Sequence, residues 1–294
     1  MSKEFIKDPG NLALLLEQAD PADLDILVDY ITDNGKGRIS LNNDVSARLI
    51  KCKERQAYTD GDRKLVGKEI LAFGGNTLSN VYRDVRRTLS TGSLLDKVLP
   101  DTGESVPYEE VVKDVASHLK VAFDKKDDVL IVEDALMRKL MRDAFERMSA
   151  EERADILRSL GVTDLSLMGA AATAAVIAAG RAGGFATFQL TLIVANALSR
   201  ALLGRGLPLT VNAAAVRTLG IALGPIAWAV TGAWGLADMA SPAYRVTVPC
   251  VVQIAYMRQK AIAAASTQTC GACGASNEHD ARFCSKCGAA MEGH

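Results

Sequence analysis

Apolar residues recur along the first 161 positions at the spacing of a single helix face, with polar residues between them. Leu24, Leu27, Val28 and Ile31 fall at i, i+3, i+4 and i+7, which a 3.6-residue turn gathers on one buried side. Asp20 and Pro21 mark the start of that helix, because aspartate caps free N–H groups and proline lacks a donor that the first turn does not use. Asn34-Gly35-Lys36-Gly37 ends it. The same pattern predicts helices through Val45, Leu49 and Cys52, and through Leu65, Val66, Ile70 and Phe73. Gly74-Gly75 is expected to stop the latter, with Asn76 or Thr77 capping a further helix that carries Leu78, Val81, Tyr82, Val85 and Leu89. Periodicity fades over 91–106, where Gly92, Pro100 and Gly103 predict a loop. Pro107 opens a helix with Tyr108, Val111, Val112, Val115 and Leu119 inward. Another runs from about Asp127 to Met148, with Val132, Leu136, Leu140 and Phe145 in the core. Ser149 and Glu152 have capping-box spacing for a helix carrying Ile156, Leu157 and Leu160, with Gly161 as its cap.

The pattern then changes. Across 165–237 the only charges are Arg181, Arg200, Arg205 and Arg217, and there is no carboxylate. Uncharged runs at 165–180, 182–199 and 218–237 are 16, 18 and 20 residues long, against the roughly 20 apolar residues that a membrane-spanning helix needs. Such helices must be buried by protein or by lipid. The runs are rich in Ala and Gly, which transfer weakly into lipid, and Gln189 and Asn196 interrupt the second. Gly220, Gly224 and Gly232 stand at multiples of four residues, on a four-residue spacing that allows close helix approach in either setting. A two-span hairpin would place Arg200, Arg205 and Arg217 in its cytoplasmic loop and export the rest of the chain. The segment therefore predicts tightly packed Ala/Gly helices buried by protein, with insertion into a membrane over 165–257 as the alternative. Trp228 and Trp234 read as core residues, and Pro225 breaks or kinks the third run. After Asp238, Ser241-Pro242 opens a helix through Tyr244, Val248, Val252, Ala255 and Tyr256, kinked at Pro249, with Arg258 and Lys260 suited to its carboxy-terminal end.

Composition refines this picture in two ways. The chain is 49% apolar over 294 residues, enough for a core and roughly two ordinary domains. Its net charge of −1 hides an asymmetry: residues 1–164 carry −6 and residues 165–262 carry +6. The two parts are suited to face one another, and the basic one to face an anionic membrane surface or an acidic partner. Nothing near the amino terminus reads as a signal peptide, because Lys3, Glu4, Lys7 and Asp8 surround only short apolar runs and Leu12–Leu16 is followed at once by Glu17. The expected location is cytoplasmic, with the surface of the inner membrane as a peripheral site.

Candidate catalytic chemistry is sparse. His118 is the one histidine before the tail and has no legible nucleophile or base beside it, so it reads as structural or exposed. Gly74-Gly75-Asn76-Thr77 could cradle an anion, but it lacks the Lys-Ser/Thr pair of a phosphate loop and reads as two helix caps. Cys52 reads as a small core residue. The protein is expected not to be an enzyme.

The tail holds the sharpest motif. Cys270-x-x-Cys273 and Cys284-x-x-Cys287 enclose ten residues, and paired cysteines in a reducing compartment point to metal rather than disulfides. Four thiolates suit one tetrahedral, structural zinc with no open position. Gly271 or Gly274, and then Gly288, are placed to relieve the turns around sulfur. His279 and His294 are surplus to the ligand set. The tail has few apolar residues beyond Phe283 and Met291, so metal is expected to fold it. Arg282 and Lys286 are outnumbered by Glu278, Asp280 and Glu292, which argues against nucleic acid and for protein contact. Thr267-Gln268-Thr269 reads as a short hinge. The expected organisation is an acidic helical bundle over 1–161, an apolar helical segment over 162–266 and a zinc ribbon over 267–294; the fold class is all-α, with the ribbon appended.

Ala243-Tyr244-Arg245-Val246-Thr247-Val248-Pro249, continuing to Gln253-Ile254-Ala255, resembles the carboxy-terminal motif of the uncharacterised bacterial YaaW-like proteins. The Phe73-Gly74-Gly75 stretch with Asn80, and the segment 108–119, are similar to theirs as well. The resemblance covers about residues 5–262. YaaW-like proteins are grouped distantly with ubiquinol–cytochrome c chaperones, which assist assembly of a respiratory complex. The resemblance therefore implies a helical fold and a chaperone-like or assembly role with protein partners, and brings no catalytic residues. The cysteine tail departs from the short members of the family.

Overall fold

In the computed structural model the described residues are 4–36, 38, 41–89, 106–159, 162–182, 186–207, 243–279 and 281–291. Among them the secondary structure is helical apart from one short hairpin. The helices are α1 (Glu4–Lys7), α2 (Leu12–Glu17), α3 (Pro21–Thr32), α4 (Asn43–Arg55), α5 (Asp60–Leu89), α6 (Tyr108–His118), α7 (Val129–Arg147), α8 (Ala150–Ser159), α9 (Gly169–Ala182), α10 (Ala186–Leu203) and α11 (Tyr244–Ala265). The hairpin pairs β1 (Thr267–Thr269) with β2 (Ser276–Glu278). The described residues divide into two compact units, one within 9–133 and 234–251, the other within 1–8, 134–233 and 252–294. The expected loop over 91–106, the third apolar run, both tryptophans, the Gly220-Gly224-Gly232 spacing, Ser241-Pro242, Gly161 and His294 lie largely or wholly outside the described residues.

In the first unit α3 is sunk on every side. Leu24, Leu27, Val28 and Ile31 are inaccessible to solvent, and Asp25 and Asp29 are buried with them. Buried carboxylates need partners, and the end of α4 supplies them. Lys53 Nζ pairs with Asp29, while Tyr58 Oη donates to Asp25 Oδ1 at 2.6 Å and Gln56 Nε2 donates to Asp25 Oδ2 at 3.3 Å. Burial and the bond to Asp25 push the Tyr58 hydroxyl far above its ordinary value, so it acts as a neutral donor.

Helix α5 starts with a reciprocal cap. Thr59 N donates to Asp62 Oδ2 at 3.0 Å and Asp62 N donates back to Thr59 Oγ1 at 3.3 Å. Burial alone would raise Asp62, but Thr59 and Arg48 hold it down at about 2. The helix then continues straight through Gly74-Gly75 to Leu89, where sequence had placed a stop and a new cap. A Cβ at Gly74 would lie 2.4 Å from Val111 Cγ2 of α6. The glycine pair therefore admits a neighbouring helix rather than ending its own, and because its backbone is helical the anion-cradle reading falls away as well. Gly67 serves α2 in a similar manner, with Leu16 Cδ1 at 3.1 Å from the position of its absent Cβ.

In the second unit Ser149 and Glu152 form the expected capping box, with bonds of 2.9 and 3.2 Å. Residues 190–199 of α10 are buried on all faces except Arg200 just beyond, so protein covers this part of the apolar segment. Asn196 Oδ1 accepts from Leu207 N at 2.9 Å, and Ser199 Oγ donates to Arg205 O at 2.8 Å, closing the turn after the helix. No helix among the described residues is long and apolar enough to cross a membrane. Helix α11 runs through Pro249 without ending. Arg258, placed from sequence toward the carboxy-terminal end of this helix, is fully buried and donates from Nη1 to Phe5 O at 3.4 Å. The expected hinge at 267–269 is strand β1, whose two threonines suit an extended backbone.

Candidate metal centre

The tail repeats one turn twice. In Cys270-Gly271-Ala272-Cys273-Gly274-Ala275, Cys270 N donates to Ala275 O at 2.8 Å and Gly274 N to Cys270 O at 2.9 Å. In Cys284-Ser285-Lys286-Cys287-Gly288-Ala289, Cys284 N donates to Ala289 O at 2.8 Å and Gly288 N to Cys284 O at 2.9 Å. Gly274 and Gly288 sit at φ +69° and +72°, in the left-handed region that costs a residue with a Cβ about 1–2 kcal/mol. Gly271, the other candidate in the first turn, is not left-handed. The hairpin grows directly from the end of α11, with Gln268 opposite Asn277 and His279 N donating to Ser266 O at 3.0 Å. A bridge between Phe283 and Ala290 closes the second turn.

These turns bring the four predicted sulfurs together. All four Sγ atoms lie within 4.8 Å of one another. Cys270 is 3.7 Å from Cys287, and Cys273 is 3.6 Å from Cys284. Tetrahedral bonds of about 2.3 Å to a central ion would separate sulfurs by about 3.8 Å, so the spacing fits a four-coordinate metal. Cys270 and Cys284 are buried, while Cys273 and Cys287 face solvent. Backbone N–H groups of Cys287 and Lys286 pull the Cys284 thiol down to about 6. Cys287 is itself bonded by Ala289 N–H, yet sharing hydrogen bonds with Cys273, Cys284 and Cys270 pushes its thiol up to about 12. Four adjacent thiols cannot all ionise without a cation to offset their repulsion. The donor set can therefore hold a metal ion.

Sequence reasoning missed Asn277. It is buried at the centre of β2, donates from Nδ2 to Ala275 O at 2.9 Å and to Cys284 Sγ at 3.5 Å, and accepts at Oδ1 from Ser285 N at 2.7 Å and Ser285 Oγ at 2.9 Å. Its signal was slight: an asparagine in a strand, where that residue is disfavoured. His279 is exposed and outside the sulfur cluster.

The other candidates are placed elsewhere. The His118 ring stacks on Tyr244 with centroids 3.6 Å apart, and Tyr244 Oη donates to Asp114 Oδ1 at 3.2 Å. Burial raises Asp114, with the Tyr244 bond and His118 opposing it. The tyrosine of the Tyr-Arg-Val-Thr stretch thus anchors the start of α11 to α6. Cys52 lines an open cleft of about 670 Å³ with Arg48, Lys51, Arg55, Tyr58 and Asp62. Burial and neighbouring Asp62 push its thiol up, which keeps it protonated and a poor nucleophile.

Comparison with known proteins adds an identity to this geometry. A family model described as Ubiquinol-cytochrome C chaperone matches residues 119–252. A UPF0174 protein of Helicobacter pylori strain J99 is 38% identical over 159 residues, covering 54% of this chain and 63% of that protein's length. A second UPF0174 protein of that strain is 32% identical over 200 residues, covering 66% of this chain and 87% of the relative. The UPF0174 protein YaaW of Escherichia coli K12 is 25% identical over 234 residues, covering 78% and 85%. No solved structure matches. On the length and identity of these alignments, the chain belongs to the UPF0174 family.

Proposed function

We propose that the protein is a non-enzymatic, chaperone-like assembly factor: its helical body handles one protein partner, and a zinc ribbon over 267–294 docks another. The observation that carries the reading is the match of residues 119–252 to the Ubiquinol-cytochrome C chaperone model. The four-cysteine cluster supports the second part. In this reading Cys270, Cys273, Cys284 and Cys287 hold one Zn²⁺, which supplies a cross-link and no open coordination position for catalysis. The residues around it then do the binding. Phe283 is 67% exposed, so it offers an apolar contact on a module whose fold does not consume it. In this reading the protein works in the cytoplasm, where paired cysteines stay reduced and available to metal.

Cross-linking of the full chain in native lysate, mapped by mass spectrometry, tests the division of labour. Cross-links from one partner protein should concentrate in 119–252, and those from a second in 267–294. Cross-links confined to copies of this chain, together with turnover of a small molecule by the purified protein, would overturn the reading.

A further inference from the structure

We propose that Asn277 is a positioning residue of the four-cysteine site and sets how tightly that site holds its metal. The inference rests on the metal-binding reading above. A primary amide offers two donor hydrogens and one acceptor oxygen with two lone pairs, and Asn277 uses them all within the ribbon. One N–H reaches Ala275 O, two residues beyond Cys273, at 2.9 Å. The other reaches Cys284 Sγ at 3.5 Å. The oxygen takes both the backbone N–H and the hydroxyl of Ser285, at 2.7 and 2.9 Å. The side chain therefore ties the end of the first cysteine turn to the interior of the second.

Two consequences follow from the chemistry. The clamp holds the two turns at one spacing in the folded ribbon, which favours that arrangement over the unfolded tail once metal is bound. The N–H directed at sulfur, together with Lys286 N at 3.4 Å from the same atom, spreads the charge of one thiolate among four that crowd together. Partners of this kind around metal ligands typically change affinity by about 10–100-fold. Aspartate at this position would keep the oxygen that Ser285 uses, but it would lose the donor and set a carboxylate against thiolate.

The test uses full-length wild type, Asn277→Ala, Asn277→Asp and Ser285→Ala. Each is loaded with Co²⁺ for its thiolate charge-transfer and d–d bands, then titrated with Zn²⁺ against a competing chelator. Wild type should give a four-sulfur Co²⁺ spectrum. Asn277→Asp should keep that spectrum while Zn²⁺ affinity falls about 10–100-fold, and Asn277→Ala should fall comparably. Ser285→Ala, which keeps the backbone bond, should stay within about threefold of wild type. Both Asn277 variants holding Zn²⁺ within about twofold of wild type would overturn the assignment of Asn277 alone. Absence of a four-sulfur spectrum in wild type would instead remove the metal reading, and this inference with it.

Discussion

A Cβ at position 74 would stand 2.4 Å from Val111 Cγ2, so a single missing methyl lets α6 lie against α5. Two effects compete in Gly74→Ala. Alanine gains about 1 kcal/mol of helix propensity over glycine, whereas overpacking a fixed core position costs about 1–3 kcal/mol. Val111 is β-branched, 1% exposed and has no flexible end to swing away, so the clash should win. Urea unfolding should show Gly74→Ala destabilised by up to about 2 kcal/mol, the overpacking cost less the propensity gain, and adding Val111→Ala should return part of that loss relative to Val111→Ala alone. A Gly74→Ala chain as stable as wild type would mean that the two helices are not in this contact.

At the scale of elements, helix faces were legible and helix ends less so. The 3.6-residue spacing placed Leu24, Leu27, Val28 and Ile31 in the core, and all four are there. The Ser149–Glu152 box was legible for the same local reason: both partners lie within one turn. Gly74-Gly75 was read as a stop because glycine disfavours helices, but that preference is about 1 kcal/mol per residue and a packed neighbour overrides it. Thr267-Gln268-Thr269 read as a hinge because its strand partner, Ser276–Glu278, is specified by the cysteine turns and not by its own pattern. The four cysteines were legible from spacing alone; Asn277 was not, since its role depends on the hairpin register that sets it beside Cys284. The ribbon's scarcity of buried apolar residues carries a prediction. With Phe283 exposed, metal rather than core should hold β1 and β2 together. Chelation followed by hydrogen exchange should strip protection from 267–278 and leave α3 to α6 protected. A hairpin that keeps its protection would contradict this dependence.

For the whole molecule, fold class and family resemblance were both legible in sequence: the helices bear out the first, and the UPF0174 alignments bear out the second. The buried stretch of α10 shows that protein covers the apolar segment there. The proposed function joins a partner-handling body, supported by the family match over 119–252, to a docking module built on four clustered thiols. The most direct test is quantitative co-purification from native lysate, comparing the full wild-type chain with a Cys270→Ser/Cys273→Ser variant whose helical content is checked by circular dichroism. The account predicts specific protein partners in stable ratio to the wild-type chain, at least one of them lost from the variant while its helices persist. No specific partner for either chain, alongside catalytic turnover by purified wild type, would contradict it.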